Sequence, residues 1–227
     1  MHGTGILRDN VPIKGSVQRS PRERGTKSIL DTKVYRWLET ATDLCLLNLM
    51  WLVACLPVVT IFPSTAAMFG AVRDWVRGKE GGLARTFITR FQENFGQSLL
   101  VGALWTVFGV ALLLDFLVAS QLSFVAEVVL KSLLVLVSSL YAFGSVFLFP
   151  VMVHYRADWK TVIKNSVLIS LGKLPITVIC LVFLAVMVGL TVVVPFLVII
   201  TGSITAYVVY WLCDREFKKL DAAHGDA

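Results

Sequence analysis

Four long stretches without Asp, Glu, Lys or Arg constrain the fold of this chain more than any other feature. They cover residues 44–72, 95–114, 132–153 and 174–213. A helix needs roughly 20 apolar residues to cross the hydrocarbon core of a bilayer, which is about 30 Å thick. Each stretch is long enough for a crossing, so the sequence predicts an all-α, polytopic transmembrane helical bundle.

Composition and charge agree with a membrane location. The chain is 56% hydrophobic and 16% charged, whereas soluble domains carry about 25% charged residues. Its net charge of +6 does not indicate nucleic-acid binding, because the basic residues flank the apolar stretches. In that position they face anionic lipid headgroups, so the predicted partner is the bilayer and not nucleic acid.

The number of spans follows from the lengths of the stretches. Residues 174–213 would form a helix of about 60 Å, twice the core thickness, and Pro195 lies at the middle. We therefore expect one hairpin of spans 174–193 and 195–213, and a second of spans 95–119 and 124–153.

The first stretch leaves two alternatives open. Residues 44–72 would measure about 43 Å as one helix, too long for one crossing and too short for two. Pro57 and Pro63 interrupt it. It is either a single span followed by a surface helix, or a Pro-broken hairpin with arms at 41–56 and 64–76.

The distribution of basic residues favours the hairpin. Of 21 Lys and Arg residues, eight lie in 1–43, five in 73–94, four in 155–173 and three in 214–227. Basic residues near span ends are retained in the cytoplasm. The cluster in 1–43 lies on the same side of the membrane as the other three only if residues 41–77 cross the membrane an even number of times. Both termini are therefore predicted to be cytoplasmic.

The remaining segments are assigned from their patterns. Residues 1–27 are predicted to be a disordered basic tail, 28–213 a single transmembrane domain, and 214–227 a short cytoplasmic tail. Apolar side chains recur every fourth residue from Leu83 to Phe95, and a similar stripe begins at Trp159. Such stripes bordered by basic residues predict amphipathic helices at the membrane interface.

A polar turn inside the first stretch is the candidate functional site. It would place backbone amides at a helix start within the membrane, a geometry that transporters use for polar ligands. The alternative is a packing break, because the small residues Ala66 and Gly70 allow close helix approach. Irregular backbone at membrane depth needs shielding, so we expect burial of the turn residues: Pro57, Thr60, Pro63, Ser64 and Thr65.

Three charged residues near the junction of the second and third spans are candidate structural ion pairs. Glu127 and Lys131 are four residues apart with the acid first, the favourable order on a helix. Asp115 is close enough to reach Lys131 across the hairpin. Near span ends, where a charge costs least, such pairs fix hairpin register.

The sequence contains no pattern of catalytic or metal-binding residues. No nucleophile–base spacing, phosphate-binding loop or metal motif accompanies His154, and Cys45, Cys55, Cys180 and Cys213 form no C-x-x-C pair. We therefore predict a protein that is not an enzyme and has no catalytic residue, cofactor or metal.

One block of residues resembles a known family. It contains Asn48-x-x-Trp51, Leu56-Pro57-Val58-Val59-Thr60, Pro63-Ser64-Thr65-Ala66-Ala67, Val76-Arg77-Gly78, Phe87 and Phe91-x-x-Asn94-Phe95. The block, and the similarity from about Tyr35 to Cys213, is similar to the YesL-like family of bacterial membrane proteins, whose activity is not established.

That resemblance implies a location and a role. Family members are often encoded beside carbohydrate-uptake transporters, which implies a multi-pass protein of the bacterial cytoplasmic membrane. We expect a non-enzymatic accessory factor that contacts ABC transporter permease subunits, or copies of itself. A small independent transporter or channel for a neutral solute is the alternative.

Labelling tests the predicted topology. A cysteine introduced at Thr4 should not react with a membrane-impermeant maleimide in intact cells, because both termini are predicted to be cytoplasmic. It should react after the membrane is opened. Labelling from the periplasmic side alone would contradict the broken hairpin.

Overall fold

The computed structural model describes residues 29–79, 82–121, 123–155 and 157–225. The described residues form seven α-helices and no strand: α1 (Ile29–Ala54), α2 (Ile61–Val76), α3 (Leu83–Ala119), α4 (Phe124–His154), α5 (Trp159–Gly172), α6 (Leu174–Val193) and α7 (Val198–Gly225). The chain divides into a unit of residues 1–38 and a unit of residues 39–227. The helices pack on one another within the second unit, and the predicted tail at 1–27 lies outside the described residues.

Four helical segments are long and apolar enough to cross a membrane. They are α3, α4, α6 and residues 195–219, and they confirm the predicted all-α membrane fold. The break at Pro195 is also found, because α6 ends at Val193 and a short 3-10 turn precedes α7. Proline has no amide hydrogen to continue the helical bonding pattern, so the helix ends there.

The two predicted interfacial helices differ from each other in the structure. The stripe starting at Trp159 belongs to the separate helix α5. The stripe at 83–95 is the first part of α3, which continues for 37 residues, or about 55 Å. Residues 83–95 contain no Pro or Gly, so nothing stops the helix before the span begins.

The first apolar stretch forms an antiparallel pair of helices. Near the break, Trp51 Nε1 donates to Thr65 Oγ1 at 3.2 Å. At the other end, Thr40 and Trp75 line the same cavity. Helices α1 and α2 therefore run in opposite directions, which is the arrangement of a broken hairpin.

Helix α2 packs closely on its neighbours through small side chains. Ala66, Ala67 and Ala71 are fully buried. A Cβ atom on Gly70 would lie 3.0 Å from Cγ of Arg90 in α3. These contacts agree with the packing alternative for the segment that follows the turn.

Helix α1 is joined to α7 by one buried amide. Asn48 is fully buried; its Nδ2 donates to the carbonyl of Val198 at 2.6 Å, and its Oδ1 accepts from the amide of Ser203 at 3.1 Å. Gly202 makes room for it, since a Cβ there would clash with Asn48 Oδ1. The side chain thereby bonds to backbone groups in the first two turns of α7.

The predicted boundary at residue 213 lies inside a helix. Helix α7 continues to Gly225, and Asp214, Glu216 and Phe217 are buried. Residues 214–217 are therefore part of the packed bundle. Their carboxylates form ion pairs with Arg77 and Lys173, and with Lys218 and Lys219 of α7 itself. These pairs allow a charged segment to be buried.

Substitution of Gly202 tests the contact that Asn48 of α1 makes with α7. Gly202→Ala should lower the stability of the purified protein by about 1–3 kcal/mol, because the added methyl group displaces Asn48. Gly189→Ala is the matched control, since a Cβ at that position meets no atom within 4 Å. Heat-induced aggregation in mild detergent gives the measurement; equal loss in the two variants would contradict the steric explanation.

Candidate functional site

The hydroxyls of the predicted turn mainly satisfy the backbone. Thr60 Oγ1 lies 2.6 Å from the carbonyls of Ala54 and Pro57. Thr65 Oγ1 donates to the carbonyl of Ile61 at 2.7 Å. These bonds close the break between α1 and α2 without an external ligand.

The expected burial of the whole turn is wrong. Leu56, Val58 and Val59 are 78%, 76% and 62% exposed, and Pro57 is also exposed. Burial starts only at Pro63. The Thr60 amide donates to the carbonyl of Pro57 at 2.9 Å and the Thr60 hydroxyl donates to that of Ala54. Because both carbonyls are satisfied locally, the backbone needs no other helix to shield it, and the apolar side chains can face outward.

Ser64 is the turn residue whose polar group is least satisfied. It is fully buried, and its hydroxyl has no normal hydrogen-bond partner. Its polar neighbour is the thiol of Cys55, which is a weak partner. The turn residues therefore do not converge on one site: Pro57 is exposed, Pro63 and Ser64 face the interior, and Thr65 lines an apolar cavity.

Two of the three candidate ion-pair residues contact each other. Lys131 Nζ lies 2.6 Å from Glu127 Oε1 within α4. Asp115 is exposed and forms no ion pair with any residue that the structure describes. Its proposed contact with Lys131 across the hairpin is therefore not found.

The main cluster of charges surrounds Asp74 near the end of α2. Asp74 is 5% exposed, and its carboxylate lies 2.6 Å from Arg90, 3.0 Å from Arg73 and 3.3 Å from Lys79. Arg73 also donates to the carbonyl of Val153 in α4. The cluster thus joins α2, α3 and α4.

The ionisation of Asp74 is set by these partners. Burial alone would raise the pKa of its carboxyl, but the hydrogen bonds and charges of Arg90 and Arg73 lower the pKa below its usual value. The group is therefore a carboxylate at neutral pH. Its lone pairs are taken up by the cations, which favours a packing role over proton transfer.

A second polar cluster joins α2, α4 and α7. Nδ1 of His154 lies 3.1 Å from Arg77 and 3.3 Å from the hydroxyl of Tyr210. Arg77 also approaches Asp214 at 3.7 Å, and Asp214 pairs with Lys218 at 2.6 Å.

Together with the Asp74 cluster, these contacts place several predicted basic clusters at one end of the bundle. Arg77 of the 73–94 cluster and Lys218 of the 214–227 cluster both form ion pairs with Asp214. Lys173 of the 155–173 cluster pairs with Glu216 at 2.9 Å. We call this end, marked by Asp74, Asp214 and Glu216, the ionic end.

Three cavities are relevant to ligand binding. One of about 490 Å³ lies beside Arg73, Arg90 and Gln97, and another of about 470 Å³ lies beside Trp75 and Trp211. Both are at the ionic end. A third, of about 530 Å³, is apolar and lies between α2, α4, α6 and α7, with hydroxyls that include Thr65, Ser145 and Thr201 at its wall.

Sequence reasoning missed the role of the ionic end. Arg90 lies off the apolar stripe that runs from Leu83 to Phe95, yet its side chain points into the bundle and is 16% exposed. The available signal was Asp74, an acid that lies beside Arg73 just after the uncharged stretch 44–72. Within the described part of the chain, no three His, Cys, Asp or Glu side chains come together to hold a metal ion.

Comparison with known proteins finds similarity to one family and indicates no activity. Residues 44–116 match the protein family of unknown function DUF624. The chain is 26% identical to the uncharacterized protein YesL of Bacillus subtilis over 78% of this chain and 86% of YesL. It is 27% identical to the uncharacterized protein YesV of the same organism over 88% of this chain and 99% of YesV. No solved structure matches the chain.

These matches confirm the predicted resemblance to the YesL-like family. The family match covers the turn, all of α2 and most of α3. It therefore contains Asp74 and its partners Arg73, Lys79 and Arg90.

Removal of the central charge tests the importance of the Asp74 cluster. Asp74→Asn should lower the midpoint temperature of thermal unfolding by at least about 6 °C. The substitution removes the buried carboxylate and leaves the neighbouring cations without a counter-charge. Glu93→Gln is the control: Glu93 pairs with the same Arg90 at 2.5 Å, but its side chain is 44% exposed. Similar shifts in both variants would show that burial of Asp74 is not what matters.

Proposed function

We propose that this YesL-like membrane protein is a non-enzymatic accessory factor for carbohydrate uptake by an ABC transporter. It would act in the bacterial cytoplasmic membrane, with both termini cytoplasmic and a permease subunit as partner. The family resemblance supplies the connection to carbohydrate uptake. The placement of the charged groups and the exposed apolar side chains of the spans support an accessory role over independent transport.

The observation that carries the proposal is the placement of the ionisable groups. Asp74, Asp214 and Glu216 are buried in ion pairs at the ionic end. Between the ends, the hydroxyls of residues such as Thr106, Ser139 and Thr191 donate to carbonyls of their own helix. Residues that carry charge are thus used for assembly, which supports a scaffold more than ion-coupled transport.

The outer faces of the spans support lateral association. In α3, Val107, Leu113 and Leu117 are 68%, 67% and 66% exposed. Side chains of this kind in a membrane contact either lipid or another membrane helix. A permease subunit would dock on such faces within the bilayer.

A second candidate is a transporter for a neutral solute. It is favoured by the apolar cavity of about 530 Å³, which Thr65 of the predicted turn lines together with Trp51 and Thr201. Apolar walls with a few polar groups are typical of small-molecule sites. The hydroxyls already bond to their own helices, so they would bind a solute only as acceptors or after rearrangement.

Deletion and purification test the accessory role. Loss of the gene should reduce the membrane abundance of the partner permease and the uptake of its sugar, and the wild-type chain should restore both. Mild-detergent purification of the tagged chain should enrich ABC permease subunits relative to an unrelated tagged membrane protein. Unchanged permease abundance and uptake would contradict the proposal, and sugar transport by the purified chain in liposomes would favour the second candidate.

A further inference from the structure

A cavity at the ionic end has the features of a lipid headgroup site. It measures about 470 Å³ and is lined by residues of α1, α2 and α7. Its wall contains three aromatic side chains, Trp75, Tyr207 and Trp211, and two basic ones, Arg215 and Lys218. We propose that this cavity, named the α2–α7 cavity, binds the phosphate headgroup of an anionic phospholipid.

The order of residues along α7 matches the order of chemistry across a lipid leaflet. Tyr207, Trp211 and Arg215 are spaced four residues apart, so they lie along one face of the helix. Aromatic residues with polar tips concentrate where acyl chains meet headgroups. The cation follows them at the end of the candidate span, which covers residues 195–219.

Arg215 is positioned to bind an anion. Its guanidinium carbon lies 4.7 Å from the ring centroid of Trp211. Stacking fixes the plane of the guanidinium group and leaves its N–H edges available for phosphate oxygens. Among the residues that the structure describes, no carboxylate pairs with Arg215.

The acid in the cavity does not oppose this role. Asp214 is 2% exposed and is paired with Arg77 at 3.7 Å and Lys218 at 2.6 Å. Two cations therefore offset its single negative charge. The local balance of Arg77, Arg215 and Lys218 against Asp214 is positive, which favours an anionic headgroup over a zwitterionic one.

The aromatic side chains hold the cavity open beside the acyl-chain region. Trp75 of α2 contacts Tyr207 of α7, with ring centroids 5.4 Å apart, and Trp211 is 42% exposed. A glycerol backbone and the first methylene groups of a lipid can lie on these rings while the phosphate reaches Arg215. This combination distinguishes the cavity from a site for free phosphate, which needs no apolar wall.

Lipid retention by the full chain tests the proposal. The protein is purified from membranes containing equal amounts of phosphatidylcholine and phosphatidylglycerol, and bound lipids are counted by native mass spectrometry. Wild type should retain phosphatidylglycerol preferentially, and Arg215→Ala should reduce that preference roughly fivefold. Arg85→Ala is the matched control, since Arg85 is an exposed arginine of the first part of α3 that does not line the cavity.

Two further variants and one competitor separate the explanations. Trp211→Leu should weaken the preference while keeping the charge, and Arg215→Lys should retain part of it; both must elute as wild type does. No preference in the wild type, or equal loss in Arg85→Ala, would overturn the proposal. Displacement of the lipid by soluble glycerol phosphate would contradict a lipid headgroup as the ligand and would assign the site to free phosphate compounds.

Discussion

The burial of Asp74 is the constraint on which the rest of the bundle depends. A carboxylate withdrawn from water costs several kcal/mol unless cations and hydrogen bonds replace its hydration. Here Arg73 comes from the same helix and Arg90 from α3. Satisfaction of this one group fixes α2 against α3, and through Arg73 also against the end of α4.

The same charges serve topology and packing. Basic residues retained on one side of a membrane determine orientation, and here several of them also neutralise buried acids on neighbouring helices. Arg77 and Lys173 each reach a carboxylate of α7. Orientation and tertiary structure are therefore linked, because a span inserted the wrong way would leave Asp214 or Glu216 with only a lysine of its own helix as counter-ion.

Sequence reasoning succeeded where long periodic signals dominate. The spans and the break at Pro195 could be predicted because lipid demands about 20 apolar residues per crossing and proline stops a helix. The hairpin of α1 and α2 was predicted from the distribution of the basic residues along the chain. The exposure of Leu56 and Val58 could not be predicted, since it depends on Thr60 bonding back to Ala54 and Pro57. The inward direction of Arg90 likewise depends on the position of Asp74 in three dimensions.

The short length of the first hairpin has a consequence for the surrounding bilayer. Helix α2 has 16 residues, about 24 Å, while the hydrocarbon core is about 30 Å thick. The tip of the hairpin exposes Leu56, Val58 and Val59, and an arm of the length of α2 that entered the bilayer from the ionic end would stop short of the opposite surface. Lipids beside α2 would then have to tilt or compress to match it, whereas α3 and α4 impose no such demand. A bilayer that embeds this hairpin would therefore be thinner on one flank of the protein, where neighbours with short hydrophobic segments would match it best.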